Sequence, residues 1–519
     1  MVGHSHNIRQ FIQSALLFAL LSLTACGGGE TPAPATALIS STVPVMTSMG
    51  TDFYLTLPDH LCVSNPSLCD NAPVTNKMIV AGATATTGNV TFNSATIPFS
   101  VTPGVETEIP LDPEVVLTSN ETVETKGIHV TSLSPVSVHV VSESATSADG
   151  YLALPTPGLG TNYYIMSYAS ANHAGSEFAV VATQNNTTVT ITPTADGATE
   201  KAGVTFTVTL NTGETYQMQN PAFADMTGTY VTADKPIAVF GGHLCTDVPS
   251  GVDSCDFLVE QLPDVSIWGK TFHTSLFSAS PIGGRTGYTV RVIASQNGTT
   301  FATIPPGLIP GTLNAGQFAE VQLTVAAEFV SNNPVLMAQF MRGNTDDAAG
   351  KGDPSMVIVT PAELATTNAT FGVHGLAGTT QDYMNVTTET AALGTLKLDN
   401  VVVDATRFIP IGGTSIYSVG MLPVAPGMTH TLVGTAPFSA LVYDFGIPLN
   451  AVSYAYPVAT NLSLPAAAPP VNPSAPGCQD DLRDEDQHSV DSPDHTGQLR
   501  HGTQPHQTAD HDDDGHECN

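Results

Sequence analysis

A period of about a hundred residues constrains this chain more than any single motif in it. Asp52-Phe53-Tyr54-Leu55-Thr56-Leu57-Pro58 returns as Asp149-Gly150-Tyr151-Leu152-Ala153-Leu154-Pro155 and as Asp256-Phe257-Leu258-Val259-Glu260-Gln261-Leu262-Pro263. A looser copy follows at Asp353-Pro354-Ser355-Met356-Val357-Ile358-Val359-Thr360-Pro361. A second phrase keeps the same interval: Val130-Thr131-Ser132-Leu133-Ser134-Pro135-Val136, Val231-Thr232-Ala233-Asp234-Lys235-Pro236-Ile237, Val330-Ser331-Asn332-Asn333-Pro334-Val335 and Val433-Gly434-Thr435-Ala436-Pro437-Phe438. Two independent markers with one period are the signature of a repeat architecture, in which one structural unit is copied and the copies pack on each other. The chain is therefore expected to hold four repeats of about 100 residues within residues 50–462.

The repeats read as strands. Thr, Val, Ser, Gly, Pro and Asn dominate, and sustained helical runs of Leu, Glu, Lys and Arg are missing. In the second repeat, Phe178–Thr183, Val189–Thr192, Thr205–Leu210 and Thr215–Met218 form one predicted meander, with turns at Asn185-Asn186 and Asn211-Thr212-Gly213. Thr229–Thr232, Ile237–Phe240, Phe257–Leu262 and Thr271–Leu276 form another. Asn tolerates positive φ, so Asn185-Asn186 and Asn297-Gly298 are read as hairpin signals. The fold class is all-β, and two architectures fit. In the first, each meander is a four-stranded blade and eight blades close into a β-propeller, the late start of the chain letting its first strands complete the last blade. The alternative is a row of tandem β-sandwich domains, one per repeat. The offset favours the propeller.

Outside the repeats the sequence reads as address, tether and tail. His4, His6 and Arg9 precede an apolar run, Phe11 to Leu23, that is too short to span a bilayer as a helix, and Leu23-Thr24-Ala25-Cys26 follows. This resembles the lipobox of bacterial lipoproteins. It implies a signal peptide over 1–25, cleavage before a lipidated Cys26, and a flexible tether over 26–49. Gly27 after the cysteine favours the outer membrane. Residues 463–477 read as an Ala/Pro linker. Residues 478–519 are rich in carboxylates and histidines and poor in apolar groups, so they are expected to be disordered. Lys and Arg number 14 against 46 acids, a formal charge of −32, with no basic cluster. That excludes a nucleic-acid partner, which needs a basic face, and leaves attachment to a membrane to the lipid anchor.

Seven cysteines less Cys26 leave six. Cys62 with Cys69, and Cys245 with Cys255, sit in polar, Pro-bearing loops and read as local disulfides, with zinc as the alternative. Cys478 and Cys518 lie in the tail, and their pairing is open. Asp510, Asp512 and Asp514 have the first, third and fifth positions of a calcium loop, but the acid needed at position twelve is missing. The tail, with His511 and His516, is thus expected to bind calcium weakly or a transition metal, and no other cofactor is indicated.

The run from Asp234-Lys235-Pro236-Ile237-Ala238-Val239-Phe240-Gly241-Gly242-His243-Leu244-Cys245 through Cys255-Asp256-Phe257-Leu258-Val259-Glu260-Gln261-Leu262-Pro263 to Trp268-Gly269-Lys270 resembles the N-terminal domain family of IgG Fc-binding proteins. Gly50-Thr51-Asp52-Phe53-Tyr54-Leu55 and Glu177-Phe178-Ala179-Val180-Val181-Ala182-Thr183 extend the resemblance over roughly residues 50–460. It implies an extracellular, non-catalytic interaction domain with the Cys245–Cys255 loop as a family feature. It does not carry immunoglobulin binding to this chain, because a family name taken from one ligand transfers poorly. The expectation is a lipid-anchored envelope protein that binds an extracellular protein or glycan in adhesion or recognition, the alternatives being a passive scaffold or metal capture by the tail. His243, Asp247 and Trp268 are the candidate binding-loop residues. His243 and Asp247 lack a nucleophile motif beside them, and Trp268, the only tryptophan, is either a sugar platform or packing.

Overall fold

The computed structural model describes residues 46–463 except 171, 174, 253, 278–285, 347–349, 377–381 and 446–451. The signal segment, Cys26, most of the tether, the linker, Cys478, Cys518 and the metal candidates Asp510, His511, Asp512, Asp514 and His516 lie outside the described residues.

Each repeat is built on one long strand: Ile128–Glu143, Tyr230–Thr246, Ala327–Met341 and Met428–Phe445. The second sequence phrase falls in the middle of each. In the second repeat the first part of the long strand pairs with Gly160–Tyr164 on one side and Thr187–Thr192 on the other. The second part pairs with Asp256–Leu262 and Ser176–Ala182. Ser176–Ala182 and Thr187–Thr192 thus run in the same direction along one flank, and Phe206–Leu210 and Thr215–Gln219 do so one row further out. The unit is a single antiparallel sheet folded across its middle into two layers, with strands that pass from one layer to the other at corners.

The corners explain the turn residues. Pro236 has no N–H to offer and sits where the ladder is interrupted. Asn186 (φ 54°) and Gly213 (φ 77°) take the left-handed backbone that turns the neighbouring rows at the same level. Lys235 Nζ donates to the Asn185 carbonyl at 3.0 Å, Asp234 Oδ1 accepts from Thr188 N at 2.8 Å, and Asn211 Oδ1 accepts from Asn186 N at 3.2 Å. The third repeat ties its corner in the same manner, Asn332 accepting from Thr300 N at 2.8 Å and donating to the Gly298 carbonyl at 3.0 Å. Asn185-Asn186 and Asn297-Gly298 therefore mark corners, not the expected hairpins. Tight hairpins occur instead at Asn93-Ser94 and Asp399-Asn400.

The eight-bladed propeller is not the arrangement found. The two expected meanders of a repeat share one continuous strand, so they are the two layers of one sandwich-like unit, which is the alternative reading for each repeat. Nor do the four units stand in a row. The last strand of each, Ala148–Leu152, Asp256–Leu262, Ser355–Ile358 and Ser453–Pro457, pairs only with its own long strand. These four edge strands pack on one another in cyclic order about a central axis. The core of the second repeat is completed by Ile293, Ala338 and Phe340 of the third, and that of the fourth by Ile79, Val141 and Ala148 of the first. The ends meet, Met46 O accepting from Leu462 N at 2.7 Å and Thr460 O from Ser48 N at 2.8 Å.

The first copy of the Asp phrase needs correction. Asp52 lies in Gly50–Leu55, which pairs with the first part of its long strand as Gly160–Tyr164 and Gly269–Thr274 do in theirs. The fourth axial strand is Ser453-Tyr454-Ala455-Tyr456-Pro457.

Free strand edges expose unpaired N–H groups, and here four of them converge in the interior. Buried acids and amides supply the acceptors. Asp149 Oδ2 accepts from Val259 N at 3.2 Å and Met356 N at 3.1 Å, and its Oδ1 accepts from Ala455 N at 3.4 Å, so one carboxyl touches the axial strands of the other three repeats. Asp256 Oδ1 accepts from Ala148 N at 2.8 Å, Glu260 Oε1 from Ile358 N at 3.1 Å and Gln261 Oε1 from Leu154 N at 2.9 Å.

Candidate functional site

Both disulfides lie at the end of the ring where the axial strands begin. Cys62–Cys69 closes a loop of a short helix, Leu61–Ser64, and a 3-10 turn, Pro66–Cys69; Cys245–Cys255 closes the loop between the long and axial strands of the second repeat. The disulfide readings for these four cysteines therefore hold, and zinc does not apply to them. The two loops are joined. Cys62 Sγ lies 3.5 Å from Ser144 Oγ, and the His60 ring packs on Phe257 with centroids 4.6 Å apart. Ser147 Oγ donates to Asp256 Oδ1 and accepts from Phe257 N at 3.1 Å, next to Cys255. The first loop also grips the second repeat, since Gln217 Oε1 accepts from Asp59 N at 2.8 Å and Gln219 Nε2 donates to both Asp59 and Glu177.

His243 and Asp247 are buried, not displayed. His243 Nδ1 accepts from Cys245 N at 3.0 Å, and Asp247 Oδ2 accepts from Asn172 Nδ2 at 2.8 Å, so both hold the loop from within. Sequence reasoning missed that His60-Leu61-Cys62 repeats His243-Leu244-Cys245. In the first copy His60 Nδ1 accepts from Cys62 N at 3.1 Å, the same contact. The recurrence of the tripeptide was the available signal. The face presents to solvent the tip of the first loop, where Leu68 is 64% exposed, and Ser250 and Gly251 of the second.

Trp268 sits apart from this face. It is 2% exposed, donates from Nε1 to the Pro263 carbonyl at 3.1 Å, and walls an apolar cavity with Leu154, Phe272, Pro361 and Leu462 at the far end of the axial strands. That cavity is about 40 Å³, room for a water or the tip of a side chain and too small for a sugar ring. Packing is the role of Trp268.

Burial gives the ring an unusual acid response. It pushes Asp59 up to about 6, and raises Asp149, Glu177 and Glu260 well above the carboxylate range. Asp256 is raised by burial and by Asp353 nearby, and Asp382 by burial and by Asp444. A carboxyl raised in the folded state contributes stability that is complete below its unfolded value near 4 and is lost as pH rises through its folded value. His60, His139 and His243 run the other way. Burial lowers each to about 3, so their contribution is present above about 6.5 and is lost as pH falls. The carboxyls outnumber the histidines, so the denaturation midpoint is expected to rise from pH 8.5 to pH 5 and to fall again below pH 4. Urea titrations at those values check it, and a midpoint that climbs steadily from pH 5 to 8.5 would refute it.

A family model described as IgGFc binding protein matches residues 149–443, more than half of the chain, from the first axial strand to the fourth long strand. A protein from Homo sapiens named IgGFc-binding protein is 26% identical over 356 residues, which are 66% of this chain and 6% of that protein's own length. The chain thus spans only a small part of this relative.

Proposed function

Because the chain belongs to the IgGFc-binding protein family, we propose that its ring of four repeats is a non-catalytic extracellular recognition module that binds a protein or glycan partner through the loop face around the two disulfides. The observation that carries this reading is the linkage of both pinned loops through Ser144, Ser147 and Asp256. Loops held rigid over a packed scaffold lose little entropy on binding, which is the economy that binding faces exploit. Leu68 supplies an apolar contact at the tip. In this reading Cys26 is lipidated and holds the module at the outer membrane, in a role of adhesion or recognition. The charge of −32 further favours a partner with a basic or neutral contact surface.

The test is retention of the purified chain on immobilised mucin, immunoglobulin Fc, extracellular-matrix protein and bacterial surface glycan. Fc belongs in the panel because the human relative carries that name. Saturable binding to one class is expected, with Leu68→Asp weakening it at least tenfold and leaving the melting temperature unchanged. Retention of none of the four classes would favour a passive scaffold. Binding untouched by Leu68→Asp would move the site off this face.

A further inference from the structure

The ring has three joints where one repeat runs covalently into the next and one seam, between the first repeat and the fourth, where it does not. At that seam Glu106, Glu108 and His374 bring one ligand atom each to within 4.8 Å of one another. Glu108 lies in Thr107–Leu111 of the first repeat with Glu106 just before it, and His374 follows Thr366–Val373 of the fourth. His374 is 3% exposed. Its Nδ1 faces Glu108 Oε2 at 3.8 Å, while its Nε2 lies 3.2 Å from Glu143 Oε2 on the opposite side of the ring. Glu106 Oε2 is buried with no hydrogen-bond partner.

We propose that Glu106, Glu108 and His374 bind a divalent transition metal of the Zn²⁺ class, which staples the first repeat to the fourth and closes the ring. Two independent features go beyond a cluster of acids. A histidine that ligates a metal through one nitrogen characteristically donates its other N–H to a carboxylate, and Glu143 stands where that second partner belongs. The unpartnered Glu106 oxygen is a free ligand atom, and a buried acceptor without a partner costs stability that coordination recovers. The donor set selects the metal. Two carboxylates and an imidazole suit Zn²⁺ or Mn²⁺, whereas Ca²⁺ and Mg²⁺ prefer oxygen alone. Lys77 Nζ, 3.4 Å from Glu108 Oε1, is the competing cation, held on the carboxylate oxygen that His374 does not face.

The histidine-rich tail is itself expected to take up metal ions, so the experiment compares full chains. Apo protein prepared with EDTA is titrated with Zn²⁺, with Ca²⁺ and Mg²⁺ as controls, following stoichiometry by calorimetry and melting temperature in parallel. Wild type should bind one equivalent more Zn²⁺ than Glu106→Gln or His374→Asn, and Zn²⁺ should raise its melting temperature by several degrees while leaving theirs unchanged. Glu143→Gln should keep the equivalent with at least tenfold weaker affinity, and it serves as the milder variant should His374→Asn fail to fold. Equal stoichiometry and equal melting shifts in wild type and Glu106→Gln would assign all the metal to the tail and overturn the proposal. So would a wild type whose melting temperature Zn²⁺ does not move.

Discussion

Replacing Asp149 with alanine is expected to cost more stability than any other single truncation on the axis. The side chain accepts from Val259 N, Met356 N and Ala455 N, each on a different repeat, and the residue is fully buried. Alanine would strand those three donors in the interior, where neither water nor a neighbouring strand can reach them. At about 1–3 kcal/mol for each unsatisfied group the three together come to roughly 3–9 kcal/mol, a large part of the ~5–15 kcal/mol that holds a folded protein together. Asp149→Asn keeps one accepting oxygen and turns an NH₂ toward a backbone donor, so it should lie between wild type and alanine. Urea denaturation of the three proteins, with size-exclusion chromatography to detect opening of the ring, makes the comparison. An alanine variant within about 1 kcal/mol of wild type would mean that relaxation or water replaces the carboxyl, and the account of the axis would fail.

Asp149 also shows what could be read from the sequence and what could not. The hundred-residue period and the strand content were legible because both are local patterns. The Asp phrase marked three of the four axial strands, but nothing local says that an acid in an apolar strand serves as acceptor for other repeats. Asp52 mimics the phrase while sitting elsewhere, paired with His129 at 2.8 Å and partly exposed. Corners defeated the count of blades. Asn185-Asn186 and Asn211-Thr212-Gly213 carry the residues of hairpins, yet the strands flanking the first run in one direction along the long strand, and those flanking the second run in one direction along the two strands of the row beside it. Distinguishing a corner from a hairpin requires the pairing partner, which is a long-range fact. The disulfides at Cys62–Cys69 and Cys245–Cys255 were legible from short separation. The burial of His243 and Asp247 was not, because polar residues in a loop read as exposed until the loops packed above and beside them are known.

The second large effect is expected at Arg291, on the joint between the second and third repeats. Its Nη1 donates to Asp225 Oδ2 at 2.7 Å, to Ser167 O at 2.9 Å and to Thr227 Oγ1 at 3.1 Å, all on the second repeat, while Nε donates to Glu320 Oε2 at 2.7 Å on its own. The guanidinium lies over the Tyr168 ring at 3.7 Å and the Phe318 ring at 4.8 Å. In a chain with 14 basic residues against 46 acids, no surplus of cations stands ready to replace it. Arg291→Met keeps much of the volume but leaves two carboxylates and a buried carbonyl without their donor, and removing one partner of such a pair costs roughly 3–5 kcal/mol. Arg291→Lys keeps the charge and loses both the fork and the stacked plane, so it should recover only part of the loss. Salt separates this from a surface effect. Charges exposed to water are screened within about 8 Å at physiological ionic strength, whereas Arg291 is 5% exposed. The gap in urea midpoint between wild type and Arg291→Met should therefore persist from low salt to 1 M NaCl. A gap that closes as salt is added would make the contact a screened surface pair, and the joint between these repeats would then rest on its apolar packing alone.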